Sequence, residues 1–93
     1  MKDSDKLLRA AELVERGWCQ GASAMDSRGN QVAPDDPMAT RWCTAGACWA
    51  VGTISAIKVV LDVVHWNDAP ERTQDDAICA LHAAAMLAMS EER

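Results

Sequence analysis

Residues 4–16, SDKLLRAAELVER, show the clearest structural pattern in this sequence, an apolar stripe with helical spacing. The stripe consists of Leu7, Leu8, Ala11 and Val14. Charged residues fall on the other side, as they do on a surface helix of a globular domain. Gly17 follows directly, and glycine in the left-handed conformation ends many helices. We expect a first helix that is capped by Asp3 or Ser4 and ends near Arg16.

A second strong pattern lies at residues 73–89, TQDDAICALHAAAMLAM. Thr73 and Asp76 have the spacing of a capping box, in which each side chain bonds the backbone N–H of the other residue. Asp75 and Asp76 also suit the positive end of a helix dipole. This helix is predicted to continue to about Met89, with His82 at the edge of its apolar stripe. The residues expected to be buried are Ile78, Leu81, Ala85 and Ala88.

A small β-hairpin is predicted after the first helix. Two short runs, Ala22–Met25 and Gln31–Ala33, flank a turn-forming cluster at residues 26–30. Within that cluster, Gly29 or Asn30 is expected to take a positive φ. A hairpin of this size is only marginally stable alone, so it must lie against the helices.

Two further helices are predicted in the middle of the chain. Asp36-Pro37 is typical of a helix start, with Asp as the N-cap and Pro at the first helical position. The second helix should run from Pro37 to about Ile57, and Gly46 in its interior permits close approach of another backbone. Residues 58–66 contain β-branched side chains that fit a strand, but their spacing favours a helix.

Length and composition agree with this organisation. Ninety-three residues make a single domain, residues 1–93, and 49% of them are hydrophobic. Phe and Tyr are absent, and Ala, Leu and Met favour helices. The predicted fold is mainly α (α+β), with about four helices and a small β-hairpin between the first and the second.

The charge balance argues against direct nucleic-acid binding. Nine basic and fourteen acidic residues give a net charge of −5, and the sequence has no cluster of Lys or Arg to neutralise phosphates. An acidic surface could instead bind a basic protein, mimic a nucleic acid or simply keep the domain in solution.

The chain is expected to be cytoplasmic and not associated with a membrane. Its first five residues are polar and lead into an amphipathic stretch, unlike a signal peptide. The uncharged run at residues 42–57 is too short and too rich in Gly, Ser, Thr and Cys to span a bilayer.

The four cysteines are predicted to be free, buried thiols, because a cytoplasmic chain lies in a reducing compartment. They form no Cys-x-x-Cys pair, and His65 and His82 are distant in sequence. Neither a metal site nor a cofactor is therefore predicted.

Several motifs resemble the family DUF6197 in order and spacing, over nearly the whole chain. They are Gly17–Ala22, the turn at Gly29, Asp36-Pro37, Arg41–Cys43 with Gly46-Ala47, and Trp66–Pro70 with Arg72-Thr73. The family is associated with actinobacteria and their phages and has no assigned activity. The resemblance therefore supports a single domain and indicates no reaction.

The segment 66–73, WNDAPERT, is the main candidate for a ligand-binding corner, because polar side chains concentrate there beside a tryptophan. The candidate ligand-binding residues are Trp18, Gln20, Trp42, Trp66, Asn67, Asp68 and Arg72. A structural interpretation is also open, in which Pro70 stiffens a connector, Thr73 caps the next helix and Arg72 pairs with Asp68.

A cysteine-dependent enzyme is a second hypothesis. Cys19, His65 and Asn67 (or Asp68) are the residue types of thiol hydrolases, in which imidazole deprotonates the thiol and an amide orients the ring. Gln20 could donate to an oxyanion. Against this, Cys19 does not follow the pattern of a helix N-terminus, where a thiolate is stabilised.

The tryptophans allow a third hypothesis, a small-molecule binder with an aromatic pocket. Trp18, Trp42, Trp49 and Trp66 are the only aromatic residues, and the alternative is that they fill the core. Two of them also belong to an internal similarity between residues 16–22 and 41–47, which is too short to predict a repeat and is attributed to chance.

The leading functional prediction is a non-enzymatic interaction module that binds a protein. It rests on the acidic charge, the small size and the lack of a coherent catalytic or phosphate-binding motif. A phage-derived inhibitor of a host protein is one specific form, and a homo-oligomer is also compatible with the sequence.

Overall fold

The computed structural model describes residues 2–53 and 66–92. Its helices are α1 (Asp3–Arg16), α2 (Thr44–Ala50) and α3 (Gln74–Glu91), and residues 66–68 are also helical. Strands β1 (Ala24–Met25) and β2 (Arg41–Trp42) pair antiparallel between α1 and α2. The predicted mainly α fold, with four helical segments and a small antiparallel sheet between the first two helices, is confirmed. In the described part of the chain, no helix has the length and apolar character needed to cross a bilayer.

Helices α1 and α3 form the main part of the core. The predicted face of α1 is confirmed at Leu7, Ala11 and Val14, which are buried, whereas Leu8 is 36% exposed. On α3, Ala77, Leu81 and Ala85 are buried, while the predicted Ile78 and Ala88 are only partly buried against the core and His82 is exposed. Many of these contact residues are alanines, which allow two helix backbones to pack closely.

Polar bonds at both ends show that α1 and α3 are antiparallel. At one end, the backbone N–H and the hydroxyl of Ser4 donate to the two carboxylate oxygens of Glu92, at 3.1 and 2.8 Å. At the other end, the Gln74 side-chain amide donates to the Val14 carbonyl at 2.7 Å. The Glu92 carboxylate thus lies at the positive end of the α1 dipole, where negative charge is stabilising.

The caps of the two long helices differ in how well they were predicted. The Thr73–Asp76 capping box is confirmed: the Asp76 N–H donates to Thr73 Oγ1 at 3.2 Å, and the Thr73 N–H donates to Asp76 Oδ2 at 3.0 Å. The predicted cap of α1 is wrong, because the helix already includes Asp3 and its N-cap is Lys2. Ser4 instead bonds the far end of α3, as described above.

The predicted hairpin forms only in part. Met25 makes a single antiparallel bridge with Gln31, and Gly29 takes the expected positive φ of 83°. The two-residue ladder, however, pairs β1 with β2, in the register Ala24 to Trp42. Tertiary pairing with a later segment therefore replaces most of the local hairpin.

The predicted start of the second helix is also wrong. Asp36 accepts a hydrogen bond from the Met38 N–H at 2.8 Å, so it caps one turn and not a helix. The chain then extends through β2, and α2 begins after Cys43, whose sulfur accepts from the Gly46 N–H at 3.1 Å. The predicted continuation over residues 54–57 and the third helix from residue 58 to 65 lie outside the described residues.

Gly17 ends α1 in a way that differs from the prediction. Its φ of −176° is extended, not left-handed. A Cβ at this position would overlap the Thr40 carbonyl oxygen, so glycine is needed for close approach of the chain. The next residue, Trp18, makes a parallel bridge with Trp42. The two Trp-Cys dipeptides of the internal similarity consequently lie side by side.

Substitution of Gly46 tests the close approach of α2 to the preceding chain. Alanine in a helix interior normally stabilises by about 0.5–1 kcal/mol relative to glycine. Here a Cβ would overlap the Ser23 backbone carbonyl, so we expect Gly46→Ala to lower the free energy of unfolding by about 2 kcal/mol in urea titrations. Gly52→Ala is the control, since open space surrounds Gly52. Only the positive φ of Gly52 disfavours alanine, so we expect this variant to lose about 1 kcal/mol of unfolding free energy. A stabilised Gly46→Ala protein would contradict the packing described.

Candidate functional site

The side chain of Asn67 is fully buried and lies at the centre of the candidate site. Its Oδ1 accepts from the Trp18 indole N–H at 2.7 Å, the Thr44 backbone N–H at 3.0 Å and the Thr44 hydroxyl at 2.7 Å. Its Nδ2 donates to the Cys19 carbonyl at 3.1 Å and to Asp68 Oδ1 at 3.0 Å. Because the indole and backbone N–H groups can only donate, they fix which way the amide points. One side chain therefore joins three distant segments.

Gln20 and Asp68 make further hydrogen bonds between the loop after α1 and residues 67–69. The Gln20 side-chain amide donates to the carbonyls of Asn67 and Ala69, both at 2.9 Å. In return, the Gly21 N–H donates to Asp68 Oδ1 at 3.1 Å. The loop after α1 is thereby held against residues 67–69, and both polar side chains have structural partners.

Arg72 folds back over Trp66. Its Nε donates to the Trp66 carbonyl at 2.9 Å, and its guanidinium carbon lies 4.1 Å from the centroid of the indole ring. This is a cation–π contact combined with a hydrogen bond. The expected pairing of Arg72 with Asp68 is not observed among the residues that the structure describes. Arg72 thus closes the connector between the helical turn at residues 66–68 and α3.

The environment of Cys19 does not suit a nucleophile. The side chain is only 6% exposed, and its thiol donates to the Ala22 carbonyl at 3.4 Å. Burial, with a smaller contribution from nearby Cys43 and Asp68, raises the pKa of Cys19 to about 11. A reactive cysteine needs the opposite shift. Asn67 and Gln20 are occupied by the bonds described above, and His65 lies outside the described residues.

Three of the tryptophans, Trp18, Trp42 and Trp66, contribute to the core. Trp42 is 7% exposed and donates its indole N–H to the Pro34 carbonyl at 2.9 Å. Trp18 and Trp66 are partly buried against the same core, and Trp49 is half exposed. The structure therefore supports the interpretation of these three rings as core residues.

A cleft of about 200 Å³, which we call the Asp68 cleft, lies beside this network. It is lined by Gly21, Ala22, Ser23, Cys43 and Asp68. Asp68 belongs to the candidate residues from the sequence, whereas Ser23 and Cys43 were not predicted. Burial raises the pKa of Cys43, although the N–H groups of Gly46 and Ala45 oppose that shift. Nothing local in the sequence shows that these residues meet, because the turn of chain at 21–23 and the start of α2 approach through tertiary contacts.

The other unpredicted feature is the outer face of α3, which consists of Cys79, His82, Ala83, Met86 and Leu87. Met86 is 70% exposed and Leu87 is 63% exposed, and Met89 beside them is 41% exposed. Residues 77–90 contain no Asp, Glu, Lys or Arg, which is the signal that could have revealed this face. A helix that is apolar around its circumference usually packs on more than one side.

Known proteins give no further guide to this site. The chain matches no protein-family model, no curated protein and no solved structure. Within residues 2–53 and 66–92, His, Cys, Asp and Glu form no group that could hold a metal ion. The resemblance to DUF6197 therefore stays a prediction.

Removal of the Asn67 amide tests its central role. Asn67→Ala leaves the Trp18 indole, the Thr44 N–H and the Cys19 carbonyl without their partner, and each unsatisfied buried group costs about 1–3 kcal/mol. We expect the free energy of unfolding in urea to fall by at least about 3 kcal/mol. Thr44→Val is the control, because Oδ1 keeps two other donors and the loss should be about 1 kcal/mol. Equal losses in the two variants would contradict this role of Asn67.

Alkylation tests the state of the thiols. With a pKa of about 11, Cys19 is roughly one part in a thousand thiolate at about pH 8. We expect iodoacetamide to modify exposed Cys79 quickly and the three buried cysteines only after unfolding, as followed by mass spectrometry. A Cys79→Ser variant should show no fast modification. If folded Cys19 reacts as fast as Cys79, the thiol-enzyme hypothesis regains support.

Proposed function

We propose that this domain is a non-enzymatic protein-binding module and that its binding surface is the outer face of α3. The observation that carries the proposal is the exposure of Met86 and Leu87 on a helix that bears no charge from residue 77 to 90. Contiguous exposed apolar groups mark interaction sites in small globular domains. Burying each such side chain in an interface contributes about 1.5–3 kcal/mol.

The charges at the ends of α3 define the partner. Asp75 and Asp76 lie in its first turn, and Glu91 lies in its last turn with Glu92 as the C-cap. A complementary surface has an apolar stripe flanked by Lys or Arg, as an amphipathic helix with basic ends would provide. The net charge of −5 favours the same kind of partner and increases its rate of encounter.

The same charges disfavour self-association through this face. Two copies of α3 packed in parallel place Asp75 and Asp76 against the same residues of the second copy. Packed antiparallel, they place these residues near Glu91 of the second copy. Like charges oppose each other in both orientations, so a heterologous protein is the better occupant.

A phage-derived inhibitor of a host protein is a specific form of this proposal. It rests on the sequence motifs that resemble DUF6197 and on an acidic domain that presents an apolar helix. The alternative of a cysteine-dependent enzyme receives no comparable support, because Cys19 is buried and its pKa is raised.

Polar substitutions on α3 test the binding surface. We expect the double variant Met86→Gln, Leu87→Gln to bind at least about tenfold more weakly than wild type, a loss of about 1.4 kcal/mol. The probe is a synthetic amphipathic helical peptide with a leucine stripe and lysines at both ends, followed by fluorescence anisotropy. Met38→Gln is the matched control, since Met38 is 64% exposed on a turn before α2. Its affinity for the peptide should equal that of wild type.

A second peptide, with glutamates in place of the lysines, tests the charge argument. It should bind more weakly than the lysine peptide, and the difference should shrink as salt screens the charges. Equal binding of both peptides, or unchanged affinity of the double variant, would contradict the proposed surface.

A further inference from the structure

We infer that the Asp68 cleft is a binding site for a primary ammonium group. The inference does not depend on α3, because the described residues that line the cleft belong to the loop after α1, the N-cap of α2 and the helical turn at residues 66–68. It concerns a polar site for one small group, whereas the proposed protein-binding surface is apolar.

The carboxylate of Asp68 is held in place by protein donors. Its Oδ1 accepts from the Gly21 N–H at 3.1 Å and from the Asn67 amide at 3.0 Å. Asn67 is itself fixed by Trp18 and Thr44, so the carboxylate is attached to the buried network. Among the described residues, no donor bonds the second oxygen. A ligand would thus meet an acceptor whose position is set before binding, which lowers the entropic cost of binding.

The polar groups that line the cleft favour a cation. Asp68 provides a carboxylate and Ser23 a hydroxyl that can accept, whereas the Cys43 sulfur already accepts from the Gly46 N–H. Among the described residues that line the cleft there is no Lys or Arg. The Asp68 carboxylate would repel an anion. An apolar group would displace water from the carboxylate without donating a hydrogen bond in its place, which is unfavourable.

The bonding of Asp68 favours an ammonium over a guanidinium. A guanidinium binds best through two parallel hydrogen bonds to both oxygens of a carboxylate. Here Oδ1 already accepts two protein donors, which leaves the other oxygen for the ligand. An ammonium acts as a compact charge with three donors that can turn to meet separate acceptors. A volume of about 200 Å³ accommodates this group and a short alkyl stem beside the Ala22 methyl.

Titrations with matched ligands test the site on the wild-type protein. The probes are n-butylamine and Nα-acetyl-lysine-N-methylamide, and the control is the same lysine derivative acetylated on Nε, which removes the charge. We expect the amide signals of Gly21, Ala22 and Ser23 to shift in ¹H–¹⁵N NMR spectra with the charged probes and not with the control. Binding should weaken when NaCl is raised to about 0.5 M.

The two charged probes distinguish the source of the ammonium group. Binding of both indicates that any primary alkylamine is sufficient. Binding of the lysine derivative alone indicates a lysine side chain of a protein. Both outcomes support the ammonium site. Equal binding of the acetylated control, or no shift at the cleft residues with either charged probe, would overturn it.

Asp68→Asn tests the charged residue directly. The variant keeps an Oδ1 acceptor for the Gly21 N–H but loses the negative charge. We expect at least a tenfold loss of affinity, whereas Asp35→Asn, at an exposed position, should bind as wild type does. Unchanged affinity of Asp68→Asn would contradict the inference. If that variant fails to fold, the comparison of charged and acetylated ligands on wild type still decides the question.

Discussion

The buried amide of Asn67 is the interaction on which the rest of this structure depends. It satisfies the Trp18 indole and the Thr44 N–H at one end and the Cys19 carbonyl at the other. Each of these groups would otherwise be costly to bury, and a fully satisfied network in a low-dielectric interior specifies one arrangement of its segments. The loop after α1, the start of α2 and the turn before α3 are all placed by this side chain. The position of Asp68, and with it the cleft, follows from the same bonds.

The sequence predicted best what short-range physics determines. The Thr73–Asp76 box and the apolar stripe of α1 depend on residues three or four apart, and both are present. Asp36-Pro37 and Gly17 also carry genuine local signals, but tertiary pairing determines their conformation. The strand at residues 41–42 must reach β1 and Trp18, so the chain stays extended where a helix start was predicted.

In the candidate site, too, the sequence predicted some features and long-range contacts determined the others. Trp18, Gln20, Asn67 and Asp68 were grouped from the sequence, and the structure brings them together. Their roles could not be read from residue type, because an asparagine that orients a catalytic ring and one that satisfies a core look alike in sequence. Ser23 and Cys43 were missed because they reach the cleft through long-range contacts. The internal similarity of the two Trp-Cys dipeptides pointed to a real juxtaposition, although only the structure reveals it.

The antiparallel packing of α1 against α3 has a consequence for how this chain folds. Hydrogen bonds that join these helices at their ends connect residues 59 to 88 positions apart, such as Gln74 with Glu15 and Ser4 with Glu92. Helical domains usually fold fast because their contacts are local, whereas here loop closure must precede the main helix pairing. During synthesis, α1 leaves the ribosome long before its partner exists. Until α3 emerges, the earlier segments β2 and α2 can cover only part of the apolar stripe of α1, and the rest stays accessible to chaperones.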